Sequence, residues 1–128
     1  MGISAPTNTR AIRAGLQCFT SPSLRDPLLA ALLDEPQEGL EFAESLMRAV
    51  PRDWARMRSQ VTATVAVLAQ ATGQTGLAGV AAHRATELSE TENFPALVAR
   101  TIDLGLGTKL ITSVYEGAVK ARHILFDA

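Results

Sequence analysis

A chain of 128 residues is the size of one domain and long enough to bury a sizeable core. Hydrophobic residues make up 47% and charged residues 20%, which excludes the apolar-poor, highly charged composition of a disordered segment. The formal net charge of -1 excludes a global pull toward nucleic acid or anionic membrane, so any such binding must come from a local patch.

Cys18 is the single cysteine, which rules out an internal disulfide and a structural zinc site built on several thiolates. The opening MGISAPTNTR lacks a basic stretch followed by an apolar run, and Pro6 stands where a myristoylation signal wants serine or threonine. No window holds the roughly 18 consecutive apolar residues of a membrane span. The expectation is a cytoplasmic protein without a membrane partner, forming one domain over 1–128 with 1–7 flexible.

The cluster Thr7-Asn8-Thr9 predicts an N-cap, followed by a helix carrying Ile12, Leu16 and Phe19 on one face. The run Thr20-Ser21-Pro22-Ser23 reads as its terminating turn. Asp26 followed by Pro27 then predicts the start of a short leucine-rich helix with Leu28, Leu29, Leu32 and Leu33. After Pro36, a helix presents Leu40, Ala43, Leu46, Met47 and Val50, with Glu38, Glu41 and Glu44 toward the positive end of its dipole. Pro51 stops it.

A long helix opens at Arg52 or Asp53, and its spacing predicts an apolar face of Trp54, Met57, Val61, Val65 and Leu68. The alternation within 61–67 admits a strand, but no turn signals bound it, and the helix is preferred. Gly73 suits a left-handed C-terminal position, and the following helix, Gln74 to Leu88, is expected to face Leu77, Val80, Ala81, Ala85 and Leu88 inward. Gly76 and Gly79 cost about 1 kcal/mol each relative to alanine within a helix, which predicts close approach of a neighbouring helix there. Pro95 lies near the start of the next helix, with Leu97, Val98, Ile102 and Leu104 inward and Gly105 and Gly107 ending it. A last helix from about Thr108 carries Leu110, Ile111, Val114, Ala118, Ala121 and Leu125. The expected fold is all-α: a single compact domain of about six to seven helices in antiparallel hairpins.

The run Leu68-Ala69, Thr72-Gly73, Gly76, Ala81, Ala85, Leu88 and Pro95 resembles a tetratricopeptide-type helical hairpin, in which small residues sit at the crossing of two helices. One such unit is present, short of the roughly three that a repeat array needs. Over a longer stretch, Arg25-Asp26, Val50-Pro51, the alanine-rich Val61 to Thr72, Gly73, Gly76, His83-Arg84-Ala85 and Leu97 to Leu106 resemble the helical C-terminal half of a family of uncharacterised, mainly actinobacterial proteins. That resemblance implies an all-helical module over about two-thirds of the chain and carries no activity with it.

Little in the sequence points to chemistry. His83 and His123 lie in different helices without the spacing of a metal motif, Cys18 has no neighbouring base, and no Glu-x-x-His appears, so no catalytic residue, metal or cofactor is assigned. The GxxG spacing of Gly73, Gly76 and Gly79 lacks the strand before it and the Lys-Ser/Thr after it that a phosphate loop requires. Two regions remain as candidate partner-binding surfaces. Arg48, Arg52, Arg56 and Arg58 flank Trp54 across the Pro51 junction and form the densest basic run, able to grip phosphate or an acidic partner unless Asp34, Glu35, Glu38, Glu41 and Glu44 pair with it. The last helix, with Val114, Tyr115, Leu125 and Phe126, is apolar on more than one face. The expected function is a helical protein-protein interaction module, an adaptor, regulator or assembly component that self-associates as a homo-oligomer. The alternatives are a nucleic-acid-associated regulator using the arginine corner and a small ligand-binding helical bundle.

Overall fold

The computed structural model describes residues 9–127, with side chains through 123. The expected flexible 1–7, the caps Thr7 and Asn8, and the side chains of Leu125 and Phe126 lie outside the described residues. Seven helices follow one another with no strand among the described residues: α1 (Thr9–Gln17), α2 (Pro22–Asp34), α3 (Pro36–Ala49), α4 (Ala55–Ala71), α5 (Thr75–Leu88), α6 (Asn93–Asp103) and α7 (Gly107–Asp127). A single 3₁₀ turn, Cys18–Thr20, joins α1 to α2. The all-α, single-domain architecture is thus the observed one. No helix among the described residues is long and apolar enough to cross a membrane.

The centre of the fold is α4. Every residue from 59 to 69 is buried, so the helix has no solvent face along three turns. A helix apolar all round needs neighbours all round: α5 and α3 supply most of them, with α6, α7 and α2 closing the rest. The polar side chains on α4 are satisfied in place. Ser59 Oγ donates to the Ala85 carbonyl at 2.6 Å, and Thr64 Oγ1 to the Gln60 carbonyl at 3.0 Å. The second contact explains how a threonine-rich, strand-like run settles as a helix, since the hydroxyl bonds back to the preceding turn.

Facing α4, α5 turns an alanine stripe inward: Ala78, Ala81, Ala82 and Ala85 are buried. This corrects the expected face, because Leu77 and Val80 are exposed and Val80 keeps 71% of its surface. Small side chains let two axes approach to roughly 8 Å, closer than leucines would allow. The glycines are also reassigned. A Cβ placed on Gly76 or Gly79 meets nothing within 4 Å, so neither marks a helix crossing, and nothing in the structure explains them. Close approach occurs instead at Gly39, where a Cβ would stand 2.5 Å from the Leu32 carbonyl oxygen, and at Gly15 against Leu46. The first lets α3 fold back on α2 through the one-residue junction at Glu35.

Helix ends follow local chemistry. Gly73 (φ +80) and Gly105 (φ +74) each take the left-handed conformation after α4 and α6. Both ends close alike: the Gln74 and Leu106 N–H groups reach back to the Ala69 and Thr101 carbonyls at 2.8 and 3.0 Å. The start of α2 differs from expectation. It begins at Pro22, not Pro27, because Ser21 takes the extended capping conformation and Pro22 fits the first helical position. Pro27 therefore lies inside the helix, and Asp26 is no cap. Likewise Gly107 opens α7 and does not end α6, wedged against the Gln70 side chain of α4. Trp54, expected on the core face of α4, stands just before its first turn and is 52% exposed, and Leu97 and Leu104 of the α6 region are exposed as well.

Alanine substitutions should separate the two kinds of glycine in urea denaturation. Gly39→Ala is expected to lose about 1–3 kcal/mol, as overpacking against fixed backbone does. Gly76→Ala is expected to gain up to about 1 kcal/mol, because the helix loses a flexible residue and meets no obstruction.

Candidate functional site

The direction of α7 leaves an apolar recess beside it. From its start against Gln70, α7 packs chiefly along α2 and touches α6 only sparsely, so α6 and α7 diverge after the Gly105 turn. Between them opens a groove of about 420 Å³. Leu29, Leu110 and Ala118 make its buried floor, Phe94, Leu97 and Thr101 one wall, and Lys109, Val114 and Gly117 the other. Leu97 and Leu106 expose 56% and 39% of their surface at this groove, more than a leucine with a partner would. The volume is within the range of roughly 300–1,000 Å³ that binding pockets occupy.

One end of the groove is sealed by a polar chain. The Arg25 guanidinium lies 4.5 Å from the Phe94 ring centre, its Nε donating to Asp26 Oδ1 at 3.0 Å and its Nη1 to Gln60 Oε1 at 3.0 Å. Gln60 in turn donates from Nε2 to Glu92 Oε1 at 3.3 Å, and Glu92 Oε2 accepts from Arg56 at 3.3 Å. Asp26, Arg25, Gln60, Glu92 and Arg56 thus tie α2, α4 and the loop before α6 together. The chain also divides the apolar groove from a more polar recess beside Ser21, Gln60 and Asn93. In the sequence the clue was Gln60, a long amide side chain directly before the small and apolar run from Val61 to Ala69.

The arginines expected to form one positive corner are dispersed. Arg58 donates to the Val50 carbonyl at 3.1 Å, satisfying the end of α3, and Arg56 is turned to Glu92. Arg48 reaches Ser45 Oγ at 3.4 Å, and Arg52 is exposed beside Trp54 on the α3–α4 turn. Glu38, Glu41 and Glu44 of the acidic run make no ion pair with them among the described residues. Asp34 instead accepts from Tyr115 Oη at 2.5 Å and from Arg122 at 2.9 Å. Tyr115 is therefore a docking contact between α7 and α2, whereas Val114 lines the groove.

No group of three His, Cys, Asp or Glu side chains gathers as metal ligands do among the described residues. His83 Nε2 lies 2.9 Å from Asp103 Oδ1 on exposed surface. Burial pushes the Cys18 thiol up, which holds it in the unreactive form, and its Sγ rests 3.4 Å from the Ala14 carbonyl. No family model, curated protein or solved structure matches the chain.

Two measurements probe these contacts. Gln60→Ala leaves Arg25 and Glu92 short of partners in a half-buried setting and is expected to cost roughly 1–3 kcal/mol in chemical denaturation, more than a surface glutamine would. The Asp34 carboxyl is held below its ordinary range, first by the Tyr115 hydroxyl and then by Arg122. A depressed folded pKa means that this contribution is present above the unfolded value of about 4 and is lost as pH falls through the folded value. Tyr115 is raised by the same hydrogen bond, so its contribution is present below about pH 10 and lost as pH rises through the raised value. Thermal melts across pH should show both slopes in the native chain, and Asp34→Asn should flatten them.

Proposed function

We propose that this chain is a helical protein-protein interaction module, acting in the cytoplasm, that takes an apolar face of a partner helix into the groove between α6 and α7. The observation that supports this most is the groove itself: apolar floor and walls, two half-exposed leucines at its edge, and a polar end whose groups already bond to one another. A groove with mainly apolar walls, whose polar end is bonded within the chain, offers shape and apolar surface, as helix-binding grooves do. Lys109 on the α7 wall makes no ion pair among the described residues and suits an acidic residue flanking the partner's apolar stripe. The resemblances to the helical half of the actinobacterial family and to a tetratricopeptide-type hairpin belong to the same proposal. Binding of nucleic acid draws less support, since Arg56 and Arg58 already hold partners inside the chain.

Gly117 supplies the test. It lines the groove, and a Cβ there meets nothing within 4 Å, so a long side chain fills the groove without disturbing the helix. Helical peptides with leucine at i, i+3, i+4 and i+7 and glutamate opposite, followed by amide chemical shifts, are expected to move α6 and α7 resonances saturably. Gly117→Met is expected to weaken that binding at least about tenfold, a cost near 1.4 kcal/mol, with melting not lowered. No saturable shift in the groove with any such peptide contradicts the proposal, and saturation by lauric acid alone points to the ligand-binding bundle instead.

A further inference from the structure

The outward face of α3 carries a charge pattern that the fold does not use. Glu38, Glu41, Ser45 and Arg48 follow at intervals of three, four and three residues, which places them on one stripe. The stripe is opposite the buried Gly39, Leu40, Ala43 and Leu46. Its acidic half and basic half are separate, and Arg52 follows in the turn after α3. None of Glu38, Glu41, Arg48 and Arg52 makes an ion pair among the described residues. The helix dipole accounts for Glu38 in the first turn and Arg48 in the last, but not for Glu41 in the middle or Arg52 beyond the end.

The stripe is self-complementary when reversed. From Ser45, Glu41 lies about 6 Å along the axis in one direction and Arg48 about 4.5 Å in the other, with Glu38 one further turn out on the acidic side and Arg52 in the turn that follows α3 on the basic side. We propose that two copies of this chain associate through antiparallel α3 helices about a two-fold axis near Ser45, setting Glu41 and Glu38 of each copy against Arg48 and Arg52 of the other. Such an isologous contact closes on itself and yields a dimer. Ser45 at the crossing is small, and its hydroxyl is already turned back to the Glu41 carbonyl at 3.0 Å, so it does not obstruct approach. In the single chain the Glu35 charge, then a hydrogen bond with Glu35, and least the Glu41 charge hold the Glu38 carboxyl above its ordinary range, and facing arginines would offset the repulsion. The contact leaves the groove open, since no residue of α3 lines it.

Exposed ion pairs are weak and screened, so the dimer is salt-sensitive and concentration-dependent. Sedimentation velocity on the full chain is expected to show a monomer-dimer equilibrium at about 50 mM salt that weakens at least about tenfold at about 500 mM. R48E/R52E and E38R/E41R should each sediment as monomers with native circular dichroism. Mixed together, they should form a one-to-one dimer, because one chain then presents four acids and the other four arginines. Gly117→Met should dimerise as the native chain does, which separates this contact from the groove. A native chain that stays monomeric at low salt, variants that self-associate unchanged, or a mixture that stays monomeric overturns the proposal. So does an R48E/R52E variant whose only loss is affinity for an oligonucleotide.

Discussion

The burial of α4 on every side is the constraint on which the rest of the structure depends. A helix of ordinary amphipathic character asks for one neighbour, but α4 between 59 and 69 has no residue left for water and must be enclosed by five. Close enclosure in a chain this short requires thin partners, and the Ala78, Ala81, Ala82 and Ala85 stripe of α5 meets that requirement. The remaining arrangement follows from covering α4: α3 lies along it after folding back at Gly39, α6 closes with Val98, and α7 starts against Gln70.

The groove is a consequence of the same demand. With α7 drawn to α4 at its first residue and to α2 along its length, it cannot also follow α6, and an apolar gap opens between them. Tyr115 and Arg122 on Asp34 hold α7 on α2, while the Arg25 chain fixes the far end of the gap. Structure and candidate function therefore share their supports. These polar contacts lie at the edges of the apolar opening and tie together the elements that bound it.

Much of the architecture was legible because proline, glycine and apolar spacing mark helix ends reliably. Gly73 and Gly105 terminate helices as their conformational freedom allows, Pro36 opens α3, and Ile12, Leu16 and Phe19 pack together against α3 and α4. Packing depth was less legible. Spacing assigns the larger residues inward, so Leu77 and Val80 were expected beside Ala81 and Ala85 where α5 buries Ala78 and Ala82, and α4 was expected to show one apolar face where it buries every residue from 59 to 69. Side-chain size alone does not reveal that two helices pack at alanine distance. The start of α2 was misplaced because two Ser/Asp-Pro pairs lie five residues apart, and either can open a helix. The site was the least legible part. Arg25, Gln60 and Glu92 are far apart in sequence, and the arginines that cluster in sequence between 48 and 58 point to different partners once the helices are placed.

Native-state hydrogen exchange followed residue by residue tests the central role of α4 most directly. If α4 organises the fold, its amides from 59 to 69 exchange only through global unfolding and are the slowest in the chain, with α5 next and α1 and α7 opening earlier. Amides of α7 or α2 that outlast those of α4 would contradict it.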